Sequence, residues 1–237
     1  MRKSNQFFII KMDVFGKVLK DHYLGRQKGK LWLHNSYGSP EDMPVDIFYR
    51  NKFEISELES IAIDLCKGKT LDIGAGVGSH ALILQNKGID VTAIEISEVA
   101  CDIMQKRGVK KVVNKDIFQF EGEQFDTIIM MMNGIGLCGD MEGLERFLEH
   151  LKKLIQPGGQ VIFDSSDIAY LYKADDFISK KYYGEISYQY EYQKVKGNWF
   201  KWLYVDFNTL EQIAQKFEWQ IELIFEDEMD QFLVRMK

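Results

Sequence analysis

The chain is short of proline and cysteine, has no long apolar run and carries no excess of positive charge. Its three prolines, Pro40, Pro44 and Pro157, sit in a sequence that is 46% hydrophobic and 28% charged. That ordinary globular balance argues against a disordered, collagen-like or coiled-coil chain. Cys66, Cys101 and Cys138 form no CxxC pair, so a disulfide framework has no basis and reduced, partly buried thiols are expected. His22, His34, His80 and His150 lack metal-ligand spacing, which leaves a zinc site nothing to build on. No apolar run is longer than Ile128–Met132, against the roughly 20 residues of a membrane span. Only Phe7–Ile10 stand as an apolar stretch before Lys11, too few for a signal-peptide core, so a cytoplasmic chain is expected. Lys and Arg number 30 against 36 Asp and Glu, a net charge of −6, which disfavours nucleic acid as a partner. The length of 237 residues suits one large α/β domain with elaborations. The oligomeric state is left open.

Pro40 and Pro44 bracket a loop over residues 36–44 that separates an N-terminal extension, residues 1–55, from a core of residues 56–237. Before the loop, Val14, Phe15, Val18 and Leu19 recur at helical spacing behind an Asp13 cap, with Gly25 as the stop. After it, Ser56-Glu57-Leu58-Glu59 reads as a capping box opening a helix. From Lys69 strands and helices alternate. Strands are expected at Thr70–Ile73, Asp90–Glu95, Lys111–Asn114, Phe125–Met131 and Gln160–Phe163; helices are expected at His80–Lys87, from Ser97 to Arg107, and around Leu144–Ile155 before Pro157. This rhythm predicts a doubly wound, Rossmann-like, mostly parallel sheet that binds ligands at the carboxyl ends of its strands. Later, Ile186–Gln193 alternates with period two, and Gly197-Asn198 is expected to turn it into Trp199–Val205, an inserted hairpin of about residues 186–205. A helix capped by Asn208 and Glu211 and strands at Gln220–Phe225 and Gln231–Arg235 complete the chain.

Asp72-Ile73-Gly74-Ala75-Gly76-Val77-Gly78 falls at a strand-to-helix turn. Glycines there allow a sharp turn and close approach of a ligand to the backbone, and the helix start presents free N–H groups. Glu95 ends the next strand, where a carboxylate can accept both hydroxyls of a ribose or can cap the helix at Ser97. The dinucleotide fingerprint is GxGxxG, and here the third glycine comes one residue early. Asp72 also repels a pyrophosphate and favours the ammonium of an amino-acid-like ligand. Both departures point away from NAD and toward a cationic adenosyl ligand.

On these residues the sequence resembles the class I S-adenosylmethionine-dependent methyltransferases of the small-molecule type, whose first motif reads Asp/Glu-x-Gly-x-Gly-x-Gly. Asn114-Lys115-Asp116-Ile117 resembles the family's segment after the third strand, Phe125–Ile129 its fourth strand, and Leu154–Gly159 its turn before the fifth. The resemblance implies a seven-stranded sheet with an antiparallel last strand at Gln231–Arg235. It also implies S-adenosyl-L-methionine as cofactor, held by Asp72, Gly74, Ala75, Gly76, Gly78, Glu95, Ile96, Asp116, Ile117 and Asn133. In that reading Glu95 takes the ribose, Asp116 the adenine amino group, and Ile117 covers the ring. Taken alone, Asp116 reads rather as a solvated loop acid, and Asp126 as a residue that orders the start of the fourth strand.

Methyl transfer needs an in-line nucleophile in a water-poor site and no metal. The tetrapeptide of methyltransferases acting on base amines is absent after the fourth strand, and Cys138 follows no proline, which leaves a small-molecule acceptor and no assigned catalytic residue. In the family, the N-terminal segment and insertions after the fifth strand cover the acceptor, here residues 1–55 as a lid and the Tyr-rich hairpin. Phe48-Tyr49-Arg50 is expected either to reach over the methionine moiety or to pack. His22, His34 and Tyr37 are candidate bases. Residues 11–30 hold six cations and two anions, read either as a site for an anionic substrate or as a solvated helix face. Tyr188, Tyr190 and Tyr192 share one strand face, a substrate wall or a packing surface. An NAD-dependent oxidoreductase and a non-catalytic adenosyl-ligand-binding protein are the competing functions.

Overall fold

The computed structural model describes residues 13–172 and 181–237; residues 1–12 of the expected extension, Lys11 of its cationic segment among them, lie outside. Asp13 accepts from the Gly16 amide and caps α1 (Val14–Tyr23). Its apolar stripe of Val14, Val18 and Leu19 is buried. Two short strands follow, β1 (Leu31–Asn35) and β2 (Glu41–Met43). The second lies inside the stretch expected to be loop. Ser56 and Glu59 make both bonds of the capping box at the start of α2 (Glu57–Leu65).

The alternation then runs through β3 (Lys69–Ile73), α3 (Ser79–Asn86), β4 (Asp90–Glu95), α4 (Glu98–Arg107), β5 (Val112–Asn114), β6 (Phe125–Met130), α5 (Met141–Leu154) and β7 (Ile155–Ser166). After these come β8 (Glu185–Tyr192), β9 (Val195–Lys196), β10 (Phe200–Leu203), α6 (Phe207–Lys216), β11 (Ile221–Glu226) and β12 (Gln231–Met236). Helix α5 stops at Leu154, so Ile155 opens β7 rather than closing the helix. Asp206, not Asn208, caps α6 by accepting from the Thr209 amide.

Seven strands form one sheet in the order β11-β12-β7-β6-β3-β4-β5. Strands β3 to β7 are parallel to their neighbours, whereas β12 runs antiparallel between β7 and β11. The apolar runs of β3 and β6 are buried on both faces, as central parallel strands require. Leu71, Ile128 and Phe163 pack toward α5 and α6, and Ile129, Ile162 and Leu233 toward α2 and α3. The chain moves outward from β3 to β5, then returns to β6. The crevice at that reversal, outside the carboxyl ends of β3 and β6, is where such sheets take ligands.

The N-terminal segment and the hairpin do not stand apart. They make a second sheet, β10-β8-β1-β2, with β9 on β8. All its pairs are antiparallel, including Leu33↔Tyr190 and Phe200↔Tyr188. The hairpin turns at Gln193-Lys194, both left-handed with φ 52° and 65°, not at Gly197-Asn198. The β8–β9 register leaves two residues to close the turn, and positive φ at both makes it the I′ type that matches the twist of the flanking strands. Gly197 instead donates to the Tyr190 carbonyl at 2.8 Å between β9 and β10. Among the described residues no helix is long and apolar enough to cross a membrane.

Candidate functional site

The glycine loop joins β3 to α3 at the carboxyl edge of the sheet. Gly74 and Gly76 take left-handed φ of 68° and 55°, and no atom lies within 4 Å of where a Cβ on either would stand. Gly78 is different: a Cβ there would meet Val109 Cγ2 at 2.7 Å. The first two glycines therefore border open space, and the third seats the loop against the packed layer of α4. The Gly74 and Ala75 amides donate to the Ile94 carbonyl at 3.0 and 3.2 Å, tying the loop to β4.

Glu95, at the end of β4, accepts from the Gly76 amide at 3.0 Å and from the Ser97 amide at 2.9 Å. It thus joins the loop to the start of α4, and the ribose and capping readings of this residue are not exclusive in geometry. Burial raises its pKa. Ile96, next in sequence, is 66% exposed. Asn114 Nδ2 donates to the carbonyls of Glu95 and Ile96 at 3.0 Å each, holding β4 and β5 together where they end. Asp116 accepts from the Phe118 amide at 3.0 Å, and Ile117 beside it is buried.

Beneath the loop Asp72 is 2% exposed, and its Oδ2 has no hydrogen-bond partner. Burial pushes its carboxyl up to about 6 against the opposing pull of His80 and the Ala81 amide. An unpaired buried carboxylate oxygen is costly, and a cationic group delivered by a ligand would relieve it. Asn133 follows β6 in a left-handed turn with φ 55°. Its amide donates to Asp164 Oδ2 at 2.8 Å, its Nδ2 donates to the Leu203 carbonyl at 3.1 Å, and its Oδ1 is buried without a partner. The glycine loop, Glu95, Ile96, Asp116 and Ile117 are thus gathered along the ends of β3, β4 and β5. Asn133 stands at the end of β6, bonded to Asp164 and Leu203 rather than to the loop.

Other candidates fall elsewhere. Arg50 is spent on Glu59, through bonds of 2.8 and 2.7 Å, and Tyr49 donates its hydroxyl to the Leu19 carbonyl. Both serve packing. His34 bonds to Glu191 at 2.7 Å on the sheet face opposite Tyr190, and His22 bonds to Gln27 and stacks on Tyr49. The described cations of residues 11–30 are exposed, with Lys17 paired to Asp21 and Lys30 to Asp42, which matches the solvated face rather than an anion site. Asp126 accepts from the Lys69 amide at 2.7 Å and orders the start of β3. Tyr192 is buried against α1, whereas Tyr190 stacks on Phe15 at 5.0 Å and is only partly buried.

Three groups escaped the sequence reading. The buried Glu59 carboxylate binds His80 Nε2 at 2.8 Å as well as Arg50. Burial alone would raise its carboxyl, but bonds from His80 and the Ser56 amide and the charges of His80 and Arg50 hold it down at about 2. Asp164 is fully buried, and burial pushes it up to about 6 against bonds from the Asn133 amide and Gln231. Trp202 lies so close to the turn after β6 that a Cβ on Gly136 would fall 2.1 Å from its Nε1. The first and third depend on contacts between distant segments; Asp164 alone carried a local sign, an acid at the end of an apolar strand.

Residues 71–163 match the family described as methyltransferase domain. The crystal structure of a SAM-dependent methyltransferase from Bacteroides fragilis, in complex with S-adenosyl-L-homocysteine, is 36% identical. The match covers 96% of this chain and 95% of that one, with a TM-score of 0.89. An uncharacterised protein of Methanocaldococcus jannaschii is 27% identical over 147 residues, 62% of this chain and 61% of its own. The cypemycin N-terminal methyltransferase of a Streptomyces species is 28% identical over 116 residues, 45% of this chain and 46% of its own. The chain spans less than two thirds of the length of either of these two relatives.

Proposed function

Because the chain belongs to the S-adenosylmethionine-dependent methyltransferases, we propose that it transfers a methyl group from S-adenosyl-L-methionine to a small-molecule acceptor. The observation that carries the reading is the buried Asp72 oxygen without a partner beneath a glycine loop that borders open space. The residues fit the cofactor: a carboxylate for its ammonium, a strand-end carboxylate for its ribose, and apolar side chains for its adenine. When bound, the cofactor supplies an electrophilic methyl group on a positively charged sulfur.

The chain's own residues do the rest. Gly74, Ala75 and Gly76 present backbone, Gly78 seats the loop against α4 instead of facing the cofactor, and Asp72 neutralises the ammonium. Glu95 keeps lone pairs for the ribose hydroxyls while bonded to Gly76 and Ser97. Ile96 and Ile117 flank the adenine, with Asp116 at its amino group, and Asn133 serves the methionine end. Residues 56–237 form the transfer domain. Residues 13–55 of the expected lid 1–55 join the hairpin of about residues 186–205 as one cover over the acceptor side, excluding water from the reacting atoms.

Calorimetry with S-adenosylhomocysteine and NAD tests this directly. S-adenosylhomocysteine at a hundredfold excess over its Kd should stabilise the fold by about 2.7 kcal/mol, and NAD should not. Stabilisation by NAD alone would overturn the reading.

A further inference from the structure

Three buried side-chain oxygens at the carboxyl edge of the large sheet lack a hydrogen-bond partner: Asp72 Oδ2, Asn133 Oδ1 and Asp164 Oδ1. All three are acceptors, so what is missing at this edge is a donor. Asp72 is the proposed seat of the cofactor ammonium; the other two form a pair of their own. Asp164 is 0% exposed, and its Oδ2 accepts from the Asn133 amide at 2.8 Å and from Gln231 Nε2 at 2.9 Å. Neither donor is a cation. Burial pushes the Asp164 carboxyl up to about 6, and Glu59, a second anion, adds to the rise. Turning the Asn133 carboxamide over would set its oxygen against the Leu203 carbonyl, which Nδ2 meets at 3.1 Å, so Oδ1 is the atom left over. The turn that carries it is imposed by its surroundings. Met132 and Asn133 are consecutive non-glycine residues at φ 63° and 55°, and such positions gather at functional sites.

Strand register separates this pair from Asp72. Asp72 pairs with Ile129, and Ile129 with Ile162. Asp164 therefore stands two strands away and two residues nearer the carboxyl edge, on the same face of the sheet as Asp72. Two strand spacings and two residues of rise set their Cα atoms roughly 12 Å apart. Both side chains leave the sheet in the same direction, so one ammonium does not satisfy both carboxylates. The cofactor has one ammonium, and its sulfonium carries no N–H to donate. A second ligand has to supply the other donor. The surface beside the pair is aromatic. The Gly136 amide donates to the Asn133 carbonyl at 2.9 Å, and Trp202 lies so close to Gly136 that a Cβ there would collide with its indole. The Phe200 ring stands 6.3 Å from that of Trp202 and 5.1 Å from that of Tyr190.

A hydroxyl brings one proton and no charge, so it meets one of the two oxygens and leaves a buried carboxylate without a counter-ion. An ammonium brings three N–H donors and the positive charge that a buried carboxylate lacks. Building on the methyltransferase reading above, we propose that Asp164 and Asn133 hold the ammonium of a primary amine acceptor, which is methylated on nitrogen after Asp164 takes one of its protons. An ammonium has no lone pair, so the proton moves first. An N–H bond breaks, its electron pair stays on nitrogen, and the proton goes to Asp164 Oδ1. Burial brings the two groups together, because it weakens the hold of the amine on its proton and strengthens that of the carboxyl. The nitrogen lone pair then bonds to the methyl carbon as the carbon–sulfur bond breaks, and that electron pair stays on sulfur. An ammonium, a sulfonium and a carboxylate become a methylated ammonium, a thioether and a carboxylic acid, so charge balances, and the acid returns its proton to water. Asp164 is the catalytic residue. Asn133 holds the nitrogen in place, and Gln231 is a positioning residue that acts through Asp164.

The test uses the full chain with tyramine, which carries an amine and a phenol on one aromatic body, and 4-ethylphenol, which lacks the amine. Calorimetry first measures S-adenosylhomocysteine binding; if there is none, the methyltransferase reading itself fails. The S-adenosylhomocysteine complex should then bind tyramine at least about tenfold more tightly than 4-ethylphenol, as a charge-assisted contact requires. Turnover with S-adenosylmethionine, read by mass spectrometry, should place the methyl group on the nitrogen of tyramine and not on its phenol. Asp164→Asn keeps the shape and an oxygen for the Asn133 amide. It should hold S-adenosylhomocysteine within about twofold of the parent affinity, bind tyramine at least about tenfold more weakly, and lower kcat/KM at pH 7 roughly a hundredfold. That deficit should shrink as pH rises and the amine loses its proton in solution. The two probes and the methylated atom decide on the unaltered protein even where Asp164→Asn does not fold. Equal binding of the two probes, O-methylation or no methylation of tyramine, unchanged turnover in Asp164→Asn, or a deficit equal at every pH would each overturn the proposal. Loss of S-adenosylhomocysteine affinity in Asp164→Asn would overturn it as well, by handing that carboxylate to the cofactor.

Discussion

Glu95 Oε2 accepts from the Gly76 amide at 3.0 Å while Oε1 accepts from the Ser97 amide at 2.9 Å, so one carboxylate organises both the loop and the helix start of the proposed cofactor edge. A side chain in that position cannot be changed without touching both fold and ligand.

Glu95→Gln tests that coupling. A carboxamide offers one acceptor oxygen, so its NH2 must face either the Gly76 or the Ser97 amide. The ligand-free protein should lose about 1–3 kcal/mol, the cost of an unsatisfied buried group. S-adenosylhomocysteine affinity should fall at least tenfold, since charge-assisted bonds to the ribose go as well. Melting and calorimetric titration side by side check both. A stability loss with affinity intact would reduce Glu95 to a structural bridge.

Asp72 predicts a pH dependence of binding. Its carboxyl is raised from 3.8 to about 6 in the fold, so the stability it contributes is full below the unfolded value and is lost as pH rises through about 6. A ligand ammonium reverses the preference by favouring the ionised form. S-adenosylhomocysteine affinity should therefore be flat above about pH 7 and weaken as pH falls through about 6, with proton release on binding in that window. His80 and Glu95 face the same carboxyl, so Asp72→Asn is the control. It should bind more weakly at pH 7 and lose this slope. A slope unchanged in Asp72→Asn would assign the titration to a neighbour.

Much of the large sheet was legible because its signals are local. Asp72–Gly78 marked a turn, Ser56 and Glu59 announced the start of α2, and the run from Phe125 had the all-apolar character of a central strand. Of the second sheet, β8 and β10 were legible from the alternation after Ile186, and the rest was not, for two reasons. Leu31–Asn35 and Glu41–Met43 are short and lie beside Gly38 and Pro40, which read as loop. The tight turn, moreover, fell on Gln193-Lys194, where register overrode the preference for glycine and asparagine. At the proposed site, the residues assigned to the cofactor lie within motifs, whereas Glu59 and His80 meet only because α2 packs beside α3.

Arg50, Glu59 and His80 form a buried charge cluster behind the loop, and Glu59 is its centre. Its carboxyl is lowered from 4.5 to about 2, so the stability it adds is full above the unfolded value and is lost as pH falls through about 2. Glu59→Ala strands a part-buried guanidinium and a buried imidazole, a loss of about 3 kcal/mol, the lower end of the general cost of breaking a buried pair. Chemical denaturation at pH 7 checks it. A loss below about 1 kcal/mol would mean that water takes over the role of the carboxylate.

Gly74 and Gly78 separate ligand access from packing within one loop. Both are left-handed, at φ 68° and 83°, so alanine at either costs about 1–2 kcal/mol for the conformation alone. At Gly74 the new methyl enters open space, and the ligand-free protein should lose no more than that. Its methyl would instead occupy the surface where the cofactor is proposed to approach, and S-adenosylhomocysteine affinity should drop at least tenfold. At Gly78 the methyl meets Val109 Cγ2 at 2.7 Å and Met104 Cγ at 3.0 Å, so α4 must shift, and overpacking adds about 1–3 kcal/mol. Gly78→Ala should thus melt well below Gly74→Ala, while Gly74→Ala binds more weakly than its stability explains. Urea denaturation without ligand and calorimetry with it separate the two. Equal binding by Gly74→Ala and the parent protein would remove the loop from the cofactor site.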